Sequence, residues 1–179
     1  MADRIAVHGS SGSGKSRLAR ALSDRLGLPR TELDALFHQP AWTELPTDEF
    51  RARVTEVVAA DRWVVEGNYE QVRDLVWDRA DTVVVLDLPR WTVMRQLLGR
   101  TFRRGLVRGE LWNGNRESLR NLASTDENRN VVLWSWRRFD HHRTELPAAA
   151  RAAAPHARLV VLRDRAQIRR FVDEVAACG

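Results

Sequence analysis

Of 179 residues only one is a cysteine, Cys178 beside the C-terminus, so no disulfide forms within the chain and a reducing, cytoplasmic setting is expected. No apolar run approaches the ~18 residues that mark a membrane span, so no membrane partner is expected. The chain reads as entering a strand within a few residues, which leaves no room for a signal peptide. Helix-turn-helix and zinc-module signatures are absent, so no motif accounts for nucleic-acid binding. Lysine is the scarcest charged residue, with Lys15 alone against 28 arginines. That replacement accounts for part of the pI of about 10.7, and the net charge of +5 is also what a phosphate-handling enzyme carries around its site. What is present is ordinary for a globular protein: 44% hydrophobic and 30% charged residues, enough for one domain over residues 1–179 with a sizeable core. Internal repeats, linkers and low-complexity tracts are lacking.

The lone lysine sits in Gly9-Ser10-Ser11-Gly12-Ser13-Gly14-Lys15-Ser16, which fits G-x-x-x-x-G-K-[ST], the phosphate-binding P-loop. Glycines let successive backbone N–H groups face a β-phosphate without Cβ collisions, and the following helix adds the positive end of its dipole. Lys15 is expected to reach the β- and γ-phosphates of ATP, and the Ser16 hydroxyl to ligate Mg²⁺. A compact ammonium here, in a chain that otherwise uses Arg, is what a P-loop requires. The context agrees: 4–8 reads as a buried strand and 16–26 as a helix, with Gly27 as its C-terminal cap.

A strand is expected over 28–33, ending at Asp34. Residues past strand C-termini line the ligand crevice of open α/β sheets, so Asp34 is a candidate for gripping or deprotonating a phosphoryl acceptor; the plain alternative is a helix N-cap. Phe37, His38 and Trp42 are candidate pocket walls or packing residues. A helix over 47–60 precedes a strand at 62–67, whose Glu66 is a Walker-B-like acid able to organise Mg²⁺. A helix over 69–80 leads to the continuous β-branched strand 82–87, whose Asp87 is the second choice for that acid and is alternatively a helix cap. The helix from Arg90 ends in a basic stretch. Between 100 and 120 six arginines (100, 103, 104, 108, 116, 120) oppose two glutamates, with glycine breaks at 105, 109 and 114. An arginine-rich lid over about 100–130 would bring Arg100 and Arg104 to the transferring phosphoryl group and exclude water. A helix over 130–142 follows. The adjacent His141 and His142 point to different faces of it, against a metal site, and Pro147 is expected to end the segment. The last strand, 158–162, leads to a helix capped by Asp164, and the turn at Arg163 is placed to flank an adenine ring. Most of the seven tryptophans are expected in the core. Alternating strands and helices behind a P-loop imply a parallel α/β sheet covered on both faces.

On these residues the chain resembles the P-loop nucleotide-kinase superfamily, and within it the adenylate-kinase-related DNA topology modulation proteins (FlaR-like). The marks run over most of the chain: GSSGSGKS at 9–16, LDALFHQPAW at 33–42, WVVEGNY at 63–69, RADTVVVLDLPR at 79–90, RQLLGRTFRR at 95–104 and LWNGNRESL at 111–119. The resemblance implies a three-layer fold around a five-stranded parallel sheet of order 2-3-1-4-5, with an acceptor-binding insert at about 34–62 and a lid at about 100–130. It places Glu66 where related kinases carry the Asp of an Asp-Gly motif, and Arg95 and Arg100 where they carry lid-hinge arginines. Adenylate kinases continue with Phe-Pro-Arg, whose arginine grips the monophosphate; here Gly67 is followed by Asn68 and Tyr69, Arg73 is the nearest substitute, and Leu36-Phe37-His38 holds no arginine, which argues against AMP as the acceptor. Asp34 also resembles the aspartate of kinases that phosphorylate small hydroxyl-bearing metabolites. The function expected is an ATP- and Mg²⁺-dependent phosphotransferase acting on a small acceptor. The rivals are a nucleotide-dependent, DNA-associated regulatory ATPase and a plain NTPase switch.

Overall fold

In the computed structural model, residues 2–107, 112–115, 131–137 and 139–177 are described. Five strands, β1 (Arg4–Gly9), β2 (Arg30–Glu32), β3 (Trp63–Glu66), β4 (Thr82–Leu86) and β5 (Arg158–Leu162), form one sheet in the order β2-β3-β1-β4-β5. Every neighbouring pair is parallel, with Ile5 opposite Val64 on one side and opposite Thr82 on the other. The order expected from the resemblance is therefore the observed one.

The helices are α1 (Lys15–Leu26), α2 (Leu33–Phe37), α3 (Thr47–Ala59), α4 (Arg73–Arg79), α5 (Arg90–Val107), α6 (Val131–Arg137), α7 (Phe139–Ala153) and α8 (Arg165–Ala177). Successive side chains of a strand face opposite sides, and the buried residues divide accordingly. Ile5, Val7 and Val84 pack with Leu18, Leu22 and Phe171 of α1 and α8. Ala6, Val83 and Val85 pack with Phe50, Val54, Trp77, Leu146 and Ala150 of α3, α4 and α7. A third cluster, Leu88, Val93, Met94, Leu97 and Phe139, seats α5 against the start of α7.

Four expectations are corrected. β2 stops at Glu32, and Leu33, buried in the core, already belongs to α2, so Asp34 stands in a helical first turn rather than at a strand end. The helix expected over 130–142 is divided between α6 and α7. Pro147 lies inside α7 instead of ending the segment. An interior proline costs a helix about 3 kcal/mol, but Phe139, Leu146 and Ala150 are all buried along this one, and that packing carries the helix through. Finally, of the tryptophans with described side chains only Trp63 and Trp77 are core; Trp91 is 76% exposed, and Trp42 and Trp136 are also exposed. No described helix is long and apolar enough to cross a membrane.

Candidate active site at the strand C-termini

The loop between β1 and α1 owes its path to three glycines. Gly9, Gly12 and Gly14 have φ of 147°, 86° and 97°, the last as the N-cap of α1. At Gly12 space matters as well: a Cβ would stand 2.8 Å from Leu97 Cβ and 2.9 Å from the Val93 carbonyl oxygen. The phosphate loop and α5 are thus in direct contact, and Arg100, one turn beyond Leu97, donates from Nη2 to Ser11 Oγ at 3.1 Å.

Lys15 Nζ has one described partner, the Ser10 carbonyl at 3.5 Å, which leaves its other donors for a phosphate. Burial pulls its pKa below the ordinary lysine value, and Arg100 adds to the lowering; the carboxylates of Asp34 and Glu66 oppose it. Asp34, Glu66 and Arg100 thus all lie within electrostatic reach of Lys15.

Glu66 is buried at the end of β3. Burial raises its pKa and Glu32 adds to this, while a hydrogen bond from the Ser16 hydroxyl and the charges of Lys15 and Arg30 oppose it. Arg30 Nη1 donates to Glu66 Oε1 at 2.8 Å and also to Glu32. Among the described residues no group of three or more His, Cys, Asp or Glu side chains is placed to hold a metal. A P-loop magnesium does not need one, because phosphates and waters fill most of its shell, and the Ser16–Glu66 pair fits that smaller demand. Asp87 is differently occupied: Arg143 Nε lies 3.0 Å from Oδ1 and Arg163 Nε 3.3 Å from Oδ2. Arg163 thus stands at the end of β4, and Asp164 caps α8 through the Gln167 N–H at 2.7 Å.

Asp34 Oδ1 accepts a hydrogen bond from Tyr69 OH at 2.7 Å. Burial, then the neighbouring Asp34 charge, holds the phenol well above its ordinary pKa, so Tyr69 stays protonated and donates. His38 Nε2 lies 3.4 Å from the same hydroxyl. The expected wall residues divide: Phe37 packs into the core against Phe50 and Tyr69, whereas His38 stands between Trp42 and Trp112.

Residues 112–115, within the stretch expected to form a lid, are docked on residues 32–42. Trp112 Nε1 donates to Glu32 Oε2 at 2.8 Å, and its ring stacks on His38 with centroids 6.3 Å apart. Asn113 Nδ2 donates to the carbonyls of Ala35 and His38. Asn115 accepts from Trp42 N–H at 2.9 Å and donates to the Gln39 carbonyl at 2.9 Å. Ala41 and Trp42, both with φ of 58°, form a left-handed pair at that contact. Such residues cost about 1–2 kcal/mol each, and the Asn115 bonds offset part of it. Arg95 is exposed on α5. The side chain of Arg104 and residues 108–111 and 116–130 of the expected lid lie outside the described residues.

Sequence reasoning passed over Arg30, Glu32, Asn68, Tyr69, Trp112 and Asn115 as site residues. For Asn68 and Tyr69 a signal existed: they follow the acid that ends β3, where side chains face the crevice. Asn68 exchanges two hydrogen bonds with Gly9, and the neighbouring Gly67 carbonyl accepts from His8 Nδ1 at 2.7 Å. Trp77 Nε1 donates to the other ring nitrogen of His8 at 2.8 Å, which fixes the tautomer.

The sheet order and the loop geometry define a P-loop kinase-like fold. Solved structures share it: a shikimate kinase from Acinetobacter baumannii in complex with shikimate (TM-score 0.56, 18% identity, 99% of this chain and 93% of that one), a sugar kinase from Janibacter (0.53, 17%, 99% and 94%) and a gluconokinase from Sinorhizobium meliloti (0.52, 19%, 99% and 97%). No protein-family model and no curated protein matches the chain.

Proposed function

We propose that this protein is an ATP-dependent small-molecule kinase. The observation that carries the reading is the glycine-shaped loop that bears Lys15, with Arg100 bonded to its Ser11 and with Asp34 and Glu66 within electrostatic reach of the lysine. Loop amides and Lys15 bind the β- and γ-phosphates, and Arg163 flanks the base. Ser16 and Glu66 would hold Mg²⁺, which when bound would neutralise charge developing on the phosphates. Asp34, with one oxygen engaged by Tyr69, accepts a hydrogen bond from the acceptor hydroxyl and aims it at the γ-phosphorus. The bond from that phosphorus to the β,γ-bridging oxygen breaks as the new P–O bond forms, and the hydroxyl proton leaves through Asp34. Arg100 and Arg104 neutralise the transferring group. Arg73 does not suit a phosphate-gripping role: its guanidinium lies over Trp77 and 3.6 Å from Glu70, which supports an acceptor other than AMP. The test is transfer of labelled γ-phosphate from ATP to panels of nucleosides, nucleoside monophosphates and sugars. An acceptor-independent ATPase, or no turnover at all, overturns the reading.

A second reading rests on the basic 100–120 stretch and on the FlaR-like motifs: a DNA-associated ATPase of the DNA topology modulation group. DNA contact through several phosphates weakens steeply with salt, so a salt titration of DNA binding separates the two.

A further inference from the structure

We infer that Arg30 is a positioning residue for the magnesium site: from β2 it fixes the Glu66 carboxylate, and through Glu32 it joins that carboxylate to Trp112 of the 112–115 turn. The inference rests on the kinase reading, in which Ser16 and Glu66 would hold Mg²⁺, and adds to that site residues that act on it through Glu66.

The arrangement follows from strand register. β2 and β3 are parallel, with Arg30 opposite Val64 and Glu32 opposite Glu66. Arg30 and Glu32 are two positions apart on one strand, so they point to the same face of the sheet, and Glu66 stands beside Glu32 on that face. Two carboxylates side by side on neighbouring strands repel, and the charge of Glu32 is felt at Glu66. Arg30 answers both with a single nitrogen. Its Nη1 donates to Glu32 Oε1 and, at 2.8 Å, to Glu66 Oε1. Trp112 Nε1 donates to the other oxygen of Glu32, Oε2, at 2.8 Å. Both oxygens of Glu32 are engaged, which sets its orientation and with it that of the guanidinium. Glu66 in turn accepts from the Ser16 hydroxyl. The run Trp112–Glu32–Arg30–Glu66–Ser16 is continuous from the 112–115 turn to the first turn of α1.

The consequence for the site is geometric. Mg²⁺ demands near-ideal octahedral angles, so a carboxylate that serves it, directly or through water, has to be fixed in advance. A glutamate side chain turns about several bonds that β3 does not restrain. Arg30 and Ser16 hold the end of Glu66, which is itself buried. Partners standing behind a ligand in this way govern metal affinity by about 10- to 100-fold. Trp112 belongs to the turn docked on α2 and on the stretch that follows it, so the seating of that turn bears on the metal site through the same chain.

The test measures the Mn²⁺ dissociation constant of the full-length chain bound to the non-hydrolysable β,γ-imido analogue of ATP, by the paramagnetic resonance signal of free Mn²⁺. Denaturant midpoints of each variant are measured beside it. Arg30→Met is expected to raise that constant about tenfold, with affinity for the metal-free analogue close to the parental value. Arg30→Lys keeps the charge and is expected to recover most of the loss. Trp112→Phe keeps a ring and removes the N–H; it is expected to raise the constant about threefold, and to add nothing in the Arg30→Met background. An unchanged constant in folded Arg30→Met, whatever its denaturant midpoint, reduces the ion pairs to a structural role and overturns the inference. Tighter Mn²⁺ binding overturns it too, since Arg30 would then act as a cation opposing the metal. Full additivity of the two substitutions overturns the link to Trp112. If Arg30→Met does not fold, parental Mn²⁺ affinity in both Arg30→Lys and Trp112→Phe overturns the inference. A parent chain that binds neither the analogue nor Mn²⁺ overturns the kinase reading, and the positioning role falls with it.

Discussion

Asn68 and Gly9 pair as two residues of adjacent strands do: Gly9 N–H donates to Asn68 Oδ1 at 3.2 Å, and Asn68 Nδ2 donates to the Gly9 carbonyl at 2.7 Å. A side chain thereby joins the first residue of the phosphate loop to the chain leaving Glu66. Asn68→Ala strands a donor and an acceptor of Gly9, a cost of about 1–3 kcal/mol. The expected outcome is ATP affinity weakened roughly 5- to 100-fold, with kcat at saturating ATP less affected. Calorimetric titration and steady-state kinetics check it; unchanged affinity would show that the loop holds its shape without the bracket.

Lys15→Ala removes the loop's ammonium. The fold is expected to persist, because the described contacts of Lys15 amount to one long bond to Ser10. Nucleotide affinity or turnover is expected to fall at least ~100-fold. Circular dichroism with nucleotide titration tests both halves, and wild-type turnover in a folded variant would refute the assignment.

Asp34→Asn keeps the shape of the side chain and the Tyr69 contact but removes the charge that accepts the proton. ATP binding and slow hydrolysis by water are expected to survive, while transfer drops by roughly 10²–10⁴-fold. Tyr69→Phe is expected to cost less, since it removes an orienting bond alone. Loss of ATP binding in Asp34→Asn would move this residue into the magnesium site.

Asn115→Ala takes away both bonds to the insert while leaving the phosphate loop untouched. It is expected to raise the acceptor KM about tenfold with little effect on the KM for ATP. Equal effects on both would mean that the 112–115 contact serves general stability.

His8 is expected to shape the acid limb of the stability curve. Burial lowers its pKa from 6.5 to about 4, opposed mainly by the hydrogen bond to the Gly67 carbonyl. A folded-state pKa below the unfolded one means that the unfolded chain takes up the proton first. The stability is complete above about pH 6.5 and is lost as pH falls towards 4, by about 3 kcal/mol between the limits. Denaturant midpoints measured from pH 7.5 to 4.5 are expected to fall less steeply in His8→Gln than in the parent protein; parallel curves would show that other groups govern the acid limb.

Much of this was legible in local pattern, because the forces concerned act over a few residues. The glycine spacing of 9–16 dictates a left-handed loop before a helix whatever surrounds it, and it picked out Lys15 and Ser16. The β-branched run of β4 and the Phe50–Val54–Val58 spacing of α3 declare a buried strand and a one-faced helix. The cap at Asp164 was equally local. Pro147 and Trp91 show where such reasoning ends: a helix continues through a proline, and a tryptophan stays in solvent, according to what packs against each from far along the chain. The site divides in the same way. Glu66 could be picked out from its place at a strand end, and Asp34 from its place shortly after one. The division of Arg30 between Glu32 and Glu66, the pairing of Asn68 with Gly9 and the docking of Trp112 on His38 join residues 36 to 74 positions apart, Arg30 to its near neighbour Glu32 excepted. The parallel sheet order brings Arg30 to Glu66 and Asn68 to Gly9, the packing of the 112–115 turn brings Trp112 to His38, and no local preference encodes either.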